Sequence, residues 1–475
     1  STETVTAEQI RTSLNIPVAS SPYDDEEEPS IAANPMNDKE VLAFLMDYTG
    51  YGCAIWYSID GGSSWWRIGP PPTSPNDPGG WPVGTDFCMD PVVRWSPDGL
   101  AAYFSYLSVR WDWSTSDVVV TVDYCPPNGL CWATVVPLFP GTATTDFWDR
   151  PWIDVHQAEA GDPTNPDVSF VYVTATYFSV PFPGQYPNYI VFDGSWDYGA
   201  TWYGGGWTGF PLSAWPIPAV PLVQFSRPMG GYGPWVLACW YNSETDGPQF
   251  GAFSIRCRSS PDNGLNWNAE VRPARSLYEL PYWLGPGFPG NYHAWWPSMG
   301  PSIAMSPDGR AHIAFTRDPT INQADSECGD VMYTRTPTAY NYALWSTALP
   351  VGVSGQFAQG LPTIVVQLRP YGLQPTPLGY RLYLFYISHH LSPYGINANI
   401  LYDVFMRYSN NGGATWGVVT RITAQSSMND WDSIGDYMDS SATNRRAWVI
   451  WTDRADKLNI NDLEDDIFTE FIESV

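Results

Sequence analysis

The hydrophobic positions of the chain fall into many short runs, and long apolar stretches with helical spacing are scarce. Each run is rich in β-branched and aromatic residues and is bounded by turn-forming residues. Short runs of this composition are typical of β-strands. The pattern therefore predicts an all-β protein. Examples are DVVVTV (117–122), VSFVYVT (168–174), AHIAFT (311–316), LYLFYI (382–387) and AWVIWT (447–452).

One eight-residue pattern, S-x-D-x-G-x-x-W, recurs between the predicted strands, and we call it the box. The last good copy carries Asn411 in place of the aspartate. The closing tryptophans of all copies lie 65 to 78 residues apart, which indicates a repeat array. Good copies are SIDGGSSW (58–65), SWDYGATW (195–202), SPDNGLNW (260–267) and SNNGGATW (409–416), and degenerate copies are CPPNGLCW (125–132) and TAYNYALW (338–345).

A second sequence motif recurs with the same period. Phrases such as PSIAANP, PVVRWSPDG and GPSIAMSPDG open a unit with a short strand, and a more apolar strand follows. Four antiparallel strands per unit of about 65 residues describe the blade of a β-propeller. The sequence predicts seven blades, with six as the alternative if one weak unit, near 222 or 361, is miscounted. The units begin near residues 29, 91, 151, 222, 300, 361 and 433.

The seventh unit lacks its fourth strand and its box. An exposed sheet edge invites uncontrolled pairing, so we expect a strand from residues 1–20 to close the ring. The corresponding division is an N-terminal segment, 1–28, that includes the closing strand, and a propeller, 29–475.

The box residues are interpreted as structural. The serine and aspartate side chains can hydrogen-bond the turn backbone, the glycine permits a positive φ, and the tryptophan packs between sheets. Asn411 supports this interpretation, since a turn tolerates the loss of a charge and a catalytic carboxylate does not. The residues concerned are Ser58, Asp60, Gly62, Trp65, Ser195, Asp197, Gly199, Trp202, Ser260, Asp262, Gly264, Trp267, Ser409, Asn411, Gly413 and Trp416.

The box resembles the Asp-box, or BNR repeat, of the sialidase-like propellers. The resemblance implies that the boxes form turns between third and fourth strands, opposite the family's substrate site. Sialidases hold a carboxylate with three arginines, the first in an R-I-P motif, and use a tyrosine–glutamate pair and an aspartic acid/base. Here Glu28 and Pro29 stand where the first arginine is expected. Because glutamate repels a carboxylate, sialidase activity is not expected.

Longer phrases resemble secreted bacterial sialidase-like exoproteins of poorly defined activity. They include EPSIAANPMN, DRPWIDV and GDYMDSSATNRRAWVIWTDRAD, and the resemblance covers nearly the full length. It implies no catalytic residues. The chain starts at Ser1 without a methionine, which agrees with a secreted product whose signal peptide was removed.

Charge restricts the partners. With 22 basic and 49 acidic residues the net charge is −27, which disfavours nucleic acids and anionic membranes. No apolar run approaches the ~18 residues of a membrane helix.

The seven cysteines fit disulfides in an oxidising compartment. A structural zinc site is not expected, because no pair of CxxC motifs occurs. The candidates are Cys125 with Cys131, which flank a turn, Cys239 with Cys257 on neighbouring strands, and, if Cys328 stays unpaired, Cys53 and Cys88.

Residues just before each inner strand should gather at one end of the central channel, which we call the channel mouth. Converging carboxylates can bind Ca²⁺, and carboxylates beside aromatic faces suit a neutral sugar. Two carboxylates at a suitable separation can hydrolyse a glycosidic bond, and the same acids can instead be solvated or pair with arginine. The predicted ligand-binding residues are Glu28, Asp90, Asp149, Arg150, Trp152, Trp296, Trp431, Asp432 and Asp436.

These features favour a secreted, non-catalytic propeller that binds a glycan or another extracellular partner through the channel mouth. One alternative is a subunit of an extracellular filament or surface appendage, a homo-oligomer assembled by exchange of the N-terminal strand. Another is a glycoside hydrolase with a non-standard site. Ca²⁺ is the one cofactor considered.

Overall fold

The computed structural model describes part of the chain and shows it to be all-β. This part forms 30 strands and contains no helix. It therefore has no helix that could cross a membrane. The described residues are 10–12, 16–19, 26–48, 52–72, 86–110, 116–124, 131–141, 147–157, 169–179, 188–204, 209–213, 222–231, 233–244, 252–278, 300–318, 329–352, 359–368, 379–390, 400–429, 435–453 and 466–474.

The strands form seven sheets, the blades of a propeller, so the prediction of seven blades is confirmed. The N-terminal strands are β1 (Ile10–Thr12) and β2 (Ile16–Ala19). Blades one to three contain β3 (Glu26–Asn34), β4 (Asn37–Asp47), β5 (Gly52–Ser58), β6 (Trp66–Gly69), β7 (Asp86–Trp95), β8 (Ala102–Arg110), β9 (Ser116–Asp123), β10 (Trp132–Phe139), β11 (Phe147–Gln157), β12 (Ser169–Phe178), β13 (Asn188–Ser195) and β14 (Phe210–Pro211).

Blades four to seven follow the same plan, and β27 adds a second short partner to β25 in blade six. Their strands are β15 (Val223–Gly230), β16 (Val236–Ser243), β17 (Ala252–Ser260), β18 (Val271–Tyr278), β19 (Ser302–Met305), β20 (Ala311–Arg317), β21 (Asp330–Arg335), β22 (Leu349–Pro350), β23 (Gln359–Leu368), β24 (Tyr380–His390), β25 (Ile400–Ser409), β26 (Thr420–Arg421), β27 (Ser427–Asn429), β28 (Asp439–Ala442), β29 (Arg446–Asp453) and β30 (Asp466–Ser474).

The middle strands of the blades are buried on both faces. Every residue of β16 is buried, and so are all residues of β8 except Arg110. Neighbouring blades share the core between them: Val120 of blade two packs in one cluster with Ile153 and Val173 of blade three. Burial on both faces explains why these strands appear in the sequence as continuous apolar runs without strict alternation.

The N-terminal strands close the ring, as predicted. Both β1 and β2 pair antiparallel with β30, the last strand of blade seven, with Ile10 opposite Ser474 and Ile16 opposite Thr469. Val18 and Ala19 are buried in the core cluster that also contains Ile31 of blade one. The fourth strand of the last blade therefore comes from the other end of the chain.

The inner strands share an irregularity near their first residues. Five inner strands shift register there, as β-bulges do. At this position each of the seven blades has one residue with a positive φ. Five of these seven residues precede a proline, which has no N–H to donate to the ladder. For a residue other than glycine this backbone region costs roughly 1–2 kcal/mol, so packing must hold these positions. They are Glu28 (φ 51°), Asp90 (51°), Arg150 (52°), Phe225 (56°), Gly300 (91°), Leu361 (48°) and Gly435 (75°).

The box at 58–65 is a hydrogen-bonded turn. Ser58 Oγ donates to Asp60 Oδ1 (2.8 Å) and accepts from the backbone N–H of Gly62 (2.8 Å). The backbone N–H of Ser64 donates to Asp60 Oδ1 (2.9 Å), and Trp65 Nε1 donates to Gly62 O (3.1 Å). Burial alone would raise the pKa of Asp60, but the bonds from Ser64 and Ser58 outweigh it and lower that pKa.

The other three good copies repeat this turn. In each, the serine bonds the residue at the aspartate position and accepts from the glycine N–H. Asn411 keeps the pattern through Oδ1, which accepts from Ser409 Oγ and from the Thr415 N–H, both at 2.9 Å. The glycine also packs against the preceding blade, since a Cβ on Gly264 would lie 2.5 Å from Phe192 Cζ.

Two of the proposed disulfides are present. Cys53 Sγ and Cys88 Sγ are 2.01 Å apart and join blades one and two, and Cys239 Sγ and Cys257 Sγ are 2.07 Å apart within blade four. Cys131 is also disulfide-bonded. Cys125 and Cys328 lie outside the described residues.

The box geometry predicts that its aspartate can be replaced by asparagine but not by alanine. Asp262→Asn keeps an oxygen at the Oδ1 position, as Asn411 does, and should change stability little. Asp262→Ala removes the acceptor of the Ser260 and Asn266 bonds and should cost about 1–3 kcal/mol. Urea unfolding measures both free energies, and equal losses for the two variants would contradict the hydrogen-bonded role.

Candidate functional site

Carboxylates from several blades converge on one guanidinium near the start of the inner strands. Arg150 Nη1 lies 3.0 Å from Glu28 Oε1 and 3.2 Å from Asp90 Oδ1, and Nη2 pairs with Asp436 Oδ2. The backbone N–H of Arg150 donates to Asp90 Oδ2 at 3.1 Å. We call these four residues the Arg150 cluster. The positive φ of Glu28, Asp90 and Arg150 gives all three the same backbone conformation at the start of their strands.

Aromatic rings pack against the guanidinium. Arg150 Cζ lies 4.8 Å from the ring centroid of Phe225 and 5.7 Å from that of Tyr437. Tyr437 Oη donates to Pro91 O at 3.0 Å. Because only 10% of the Arg150 side chain is exposed, the cluster is a buried ion network that joins blades one, two, three and seven.

Burial and mutual repulsion raise the pKa values of two acids in this region. Burial raises the pKa of Glu28 well above its usual value despite the opposing effect of Arg150. Burial, aided by the nearby charge of Asp90, raises the pKa of Asp149 to about 7. Burial alone would lower the pKa of Arg150, but the surrounding carboxylates outweigh it and raise that pKa. The guanidinium therefore stays charged, and Asp149 titrates near neutrality.

Asp149 is the acid that the Arg150 side chain does not pair with. Its Oδ2 accepts a hydrogen bond from Gln224 Nε2 of the neighbouring blade. Asp149 is partly exposed, whereas Gln224 is buried. Gln224 can therefore orient the partly exposed carboxyl of Asp149.

The structure brings together most of the described residues that the sequence placed at the mouth. Trp152 instead lies in the wall of the channel, where its ring contacts the guanidinium groups of Arg94 and Arg227. Trp296, Trp431 and Asp432 lie outside the described residues.

Sequence reasoning missed three contributors to this site, Gln224, Phe225 and Tyr437. The sequence does mark most other members of the site, since most units open with a residue that directly precedes a proline. Phe225 precedes Ser226 and Tyr437 follows Asp436, so neither carries that signal.

The described residues offer no ligand set for a metal ion, since they contain no group of three or more His, Cys, Asp or Glu that could hold one. The acids that converge at the mouth instead surround Arg150, whose guanidinium takes the central position that a Ca²⁺ ion would need.

Comparison with known proteins finds similarity only among solved structures. No protein-family model matches the chain, and no curated protein matches it. Similar solved structures include a protein of unknown function from Dyadobacter fermentans, with 12% identity, coverage of 98% of this chain and 99% of that chain, and a TM-score of 0.45. Another is a Hadza microbial sialidase, with 11% identity, coverage of 90% and 72%, and a TM-score of 0.43.

A third similar structure is an α-L-arabinofuranosidase from Fusarium graminearum in complex with an iminosugar inhibitor, with 11% identity, coverage of 97% and 98%, and a TM-score of 0.42. At such low identity and TM-scores, these likenesses carry no argument about what this chain binds or catalyses. The propeller fold that the resemblance in sequence implies is confirmed by the seven blades of the chain itself.

The burial of the Arg150 cluster predicts a large loss of stability when the cation is removed. Arg150→Met leaves three buried carboxylates without their partner and should cost about 3–5 kcal/mol at pH 7. The matched control is Arg272→Met, because Arg272 and Glu244 pair at 3.5 Å with side chains that are 50% and 24% exposed, and it should cost about 0–1 kcal/mol. Chemical unfolding measures both, and similar losses would show that the cluster is not a buried network.

The raised pKa of Asp149 predicts a pH-dependent stability. The folded state holds this proton up to about pH 7, whereas the unfolded chain releases it near pH 4. The stabilisation is therefore complete below about pH 4 and is lost as the pH rises through 7. Relative to wild type, Asp149→Asn should gain stability between pH 4 and 8.

Thermal unfolding across this pH range measures the difference. Asp262→Asn is the control, because the pKa of Asp262 is lowered and its contribution is lost only as the pH falls below 4. A gap between wild type and Asp149→Asn that does not change with pH would contradict the assignment.

Proposed function

We propose that the protein is a secreted, non-catalytic propeller that binds a glycan through the channel mouth. The observation that carries this proposal is the Arg150 cluster, in which Glu28, Asp90 and Asp436 are all ion-paired with one guanidinium. Glycoside hydrolysis needs two carboxyl groups, one as acid and one as nucleophile or base. Three buried carboxylates held by an arginine are poorly suited to either role.

The same cluster suits binding. It provides a rigid floor, because one buried guanidinium holds Glu28, Asp90 and Asp436 together. Above it, Asp149 offers a carboxyl oriented by Gln224. A group with a pKa of about 7 can donate or accept a hydrogen bond at neutral pH, which fits the hydroxyl groups of a neutral sugar.

Secretion is part of this proposal. The disulfides Cys53–Cys88 and Cys239–Cys257 suit an oxidising compartment. The net charge of −27 suits a soluble protein that avoids anionic surfaces.

A glycoside hydrolase is the second candidate, and one observation favours it. A carboxyl group with a pKa raised to about 7 is what a general acid requires, and Asp149 is such a group. In the described part of the chain its neighbouring acids are held by Arg150, so a partner carboxylate for the reaction is not in place.

A filament subunit remains the third hypothesis. Strands β1 and β2 close the ring of their own chain. Exchange between copies would require both strands to leave β30 and pair with the β30 of a neighbour. Light scattering of the purified chain would detect such assemblies.

Binding to a panel of neutral oligosaccharides tests the proposal with the full chain. Wild type should retain one glycan class, and Asp149→Ala should weaken retention at least about ten-fold, since loss of a hydrogen bond to a partly buried carboxyl costs about 1–2 kcal/mol. Asp262→Asn, on a box turn, is the matched control and should bind like wild type.

The same incubations separate binding from hydrolysis. Chromatography should show each retained glycan intact after long exposure to wild type. Release of a smaller sugar by wild type but not by Asp149→Ala would replace the binding proposal with the hydrolase. Absence of retention across the whole panel would refute both.

A further inference from the structure

A cavity of about 230 Å³ occupies the central channel, away from the Arg150 cluster. The inner strands β7, β11, β15, β19, β23 and β28 all contribute to its wall. The ring of Tyr437 packs edge-on against Trp152, with ring centroids 5.3 Å apart, and lies between the cluster and the cavity. The polar side chains of the wall are Arg94, Arg227, Ser302, Thr363, Asp439, Ser440 and Ser441.

One of the two arginines in this wall is neutralised. Arg94 Nη1 lies 2.8 Å from Asp439 Oδ2, and Arg94 Nη2 donates to Asp439 Oδ1 at 3.4 Å. Ser30 Oγ donates to the same Oδ2 atom at 2.8 Å. The Ile31 N–H also donates to Oδ2, at 3.2 Å, and the charge of Asp439 is balanced locally by Arg94.

The second arginine is not neutralised. Within the described ranges, no carboxylate lies within ion-pair distance of Arg227, which is only 7% exposed. Its guanidinium stacks on the Trp152 ring with Cζ 3.7 Å from the centroid, and Nη1 donates to Ser302 Oγ at 3.2 Å. Burial lowers its pKa to about 10, which the charge of Asp439 only partly offsets. A buried cation with no paired anion is costly.

The hydroxyl groups around Arg227 add donors. Ser302 Oγ accepts from Arg227 and from the Ile364 N–H at 3.0 Å, which fills its two lone pairs and leaves its hydrogen to donate. Thr363 Oγ1 and Ser440 Oγ share a single hydrogen bond of 2.7 Å, so one of their two hydrogens is also left over. The wall thus presents more donors than acceptors.

We propose that this cavity binds a small oxyanion, a carboxylate or a phosphate, beside the hydrogen-bonded pair of Arg227 and Ser302. The guanidinium face lies on Trp152, so its edge is available for the two parallel hydrogen bonds that oxyanions accept. Arg94 and Asp439 cancel, which leaves one net positive charge in the cavity of a protein whose net charge is −27. This site lies apart from the glycan site proposed at the channel mouth.

Calorimetric titration of the full chain tests the site, with sodium acetate and inorganic phosphate as separate probes. Sodium chloride at matched ionic strength corrects for screening. Wild type should bind at least one probe with one-to-one stoichiometry, and that probe should raise Tm more than chloride does. Acetate binding alone would identify a carboxylate site, and phosphate binding alone a phosphate site.

Arg227→Gln should weaken this binding at least ten-fold. The matched control is Arg272→Gln in the same blade, which removes the same charge from a side chain that is 50% exposed and pairs with Glu244, and it should bind like wild type. Ser302→Ala, which keeps the guanidinium, should weaken binding about three-fold. It replaces Arg227→Gln as the test if that variant does not fold.

Two results would overturn the proposal. One is a wild-type chain that binds neither probe beyond the chloride response, which would mean that only water solvates Arg227. The other is equal binding by wild type and the variants of Arg227 and Ser302, which would place the anion elsewhere.

Discussion

Closure of the ring is the constraint on which the rest of the structure depends. A blade buries both faces of its middle strands only if another blade lies on each side. The last sheet would end at β30, and β1 with β2 supplies its missing edge. Val18 and Ala19 then become part of the core between blades seven and one. The two ends of the chain are therefore held together by backbone pairing, and the central channel has a continuous wall.

The Arg150 cluster adds a second tie near the closure. It links blades one, two, three and seven through one buried guanidinium. Ion pairs that are removed from water gain little net stability, but losing one partner is expensive. The cluster therefore contributes little net stability but restricts the geometry of the blades. The four inner strands must meet in one arrangement for Arg150 to pair with all three carboxylates.

The sequence was sufficient for the architecture and insufficient for the chemistry. The spacing of the box tryptophans and the proline-containing unit starts predicted the blades, because each signal is local and repeats. The acids at the mouth were also found from their position before the inner strands. Their pairing with arginine was only one of the alternatives, because Arg150 and Glu28 are 122 residues apart and meet only through the shared positive φ at their bulges. A residue before proline is normally restricted to extended backbone, so the sequence gives no warning of that conformation.

Two buried arginines on the neighbouring inner strands β11 and β15 show why pairing decides function. Arg150 faces three carboxylates, so the cost of burying its charge is offset within the protein. Little positive charge is left to attract a ligand. Arg227 faces an aromatic ring and a serine whose lone pairs are filled, so its compensation must come from water or from an anion that enters the cavity. Both residues are arginines on inner strands, and composition cannot distinguish them. The difference lies in which acids the fold brings within 4 Å, and that depends on strand register at the bulge more than on the number of acids in the chain.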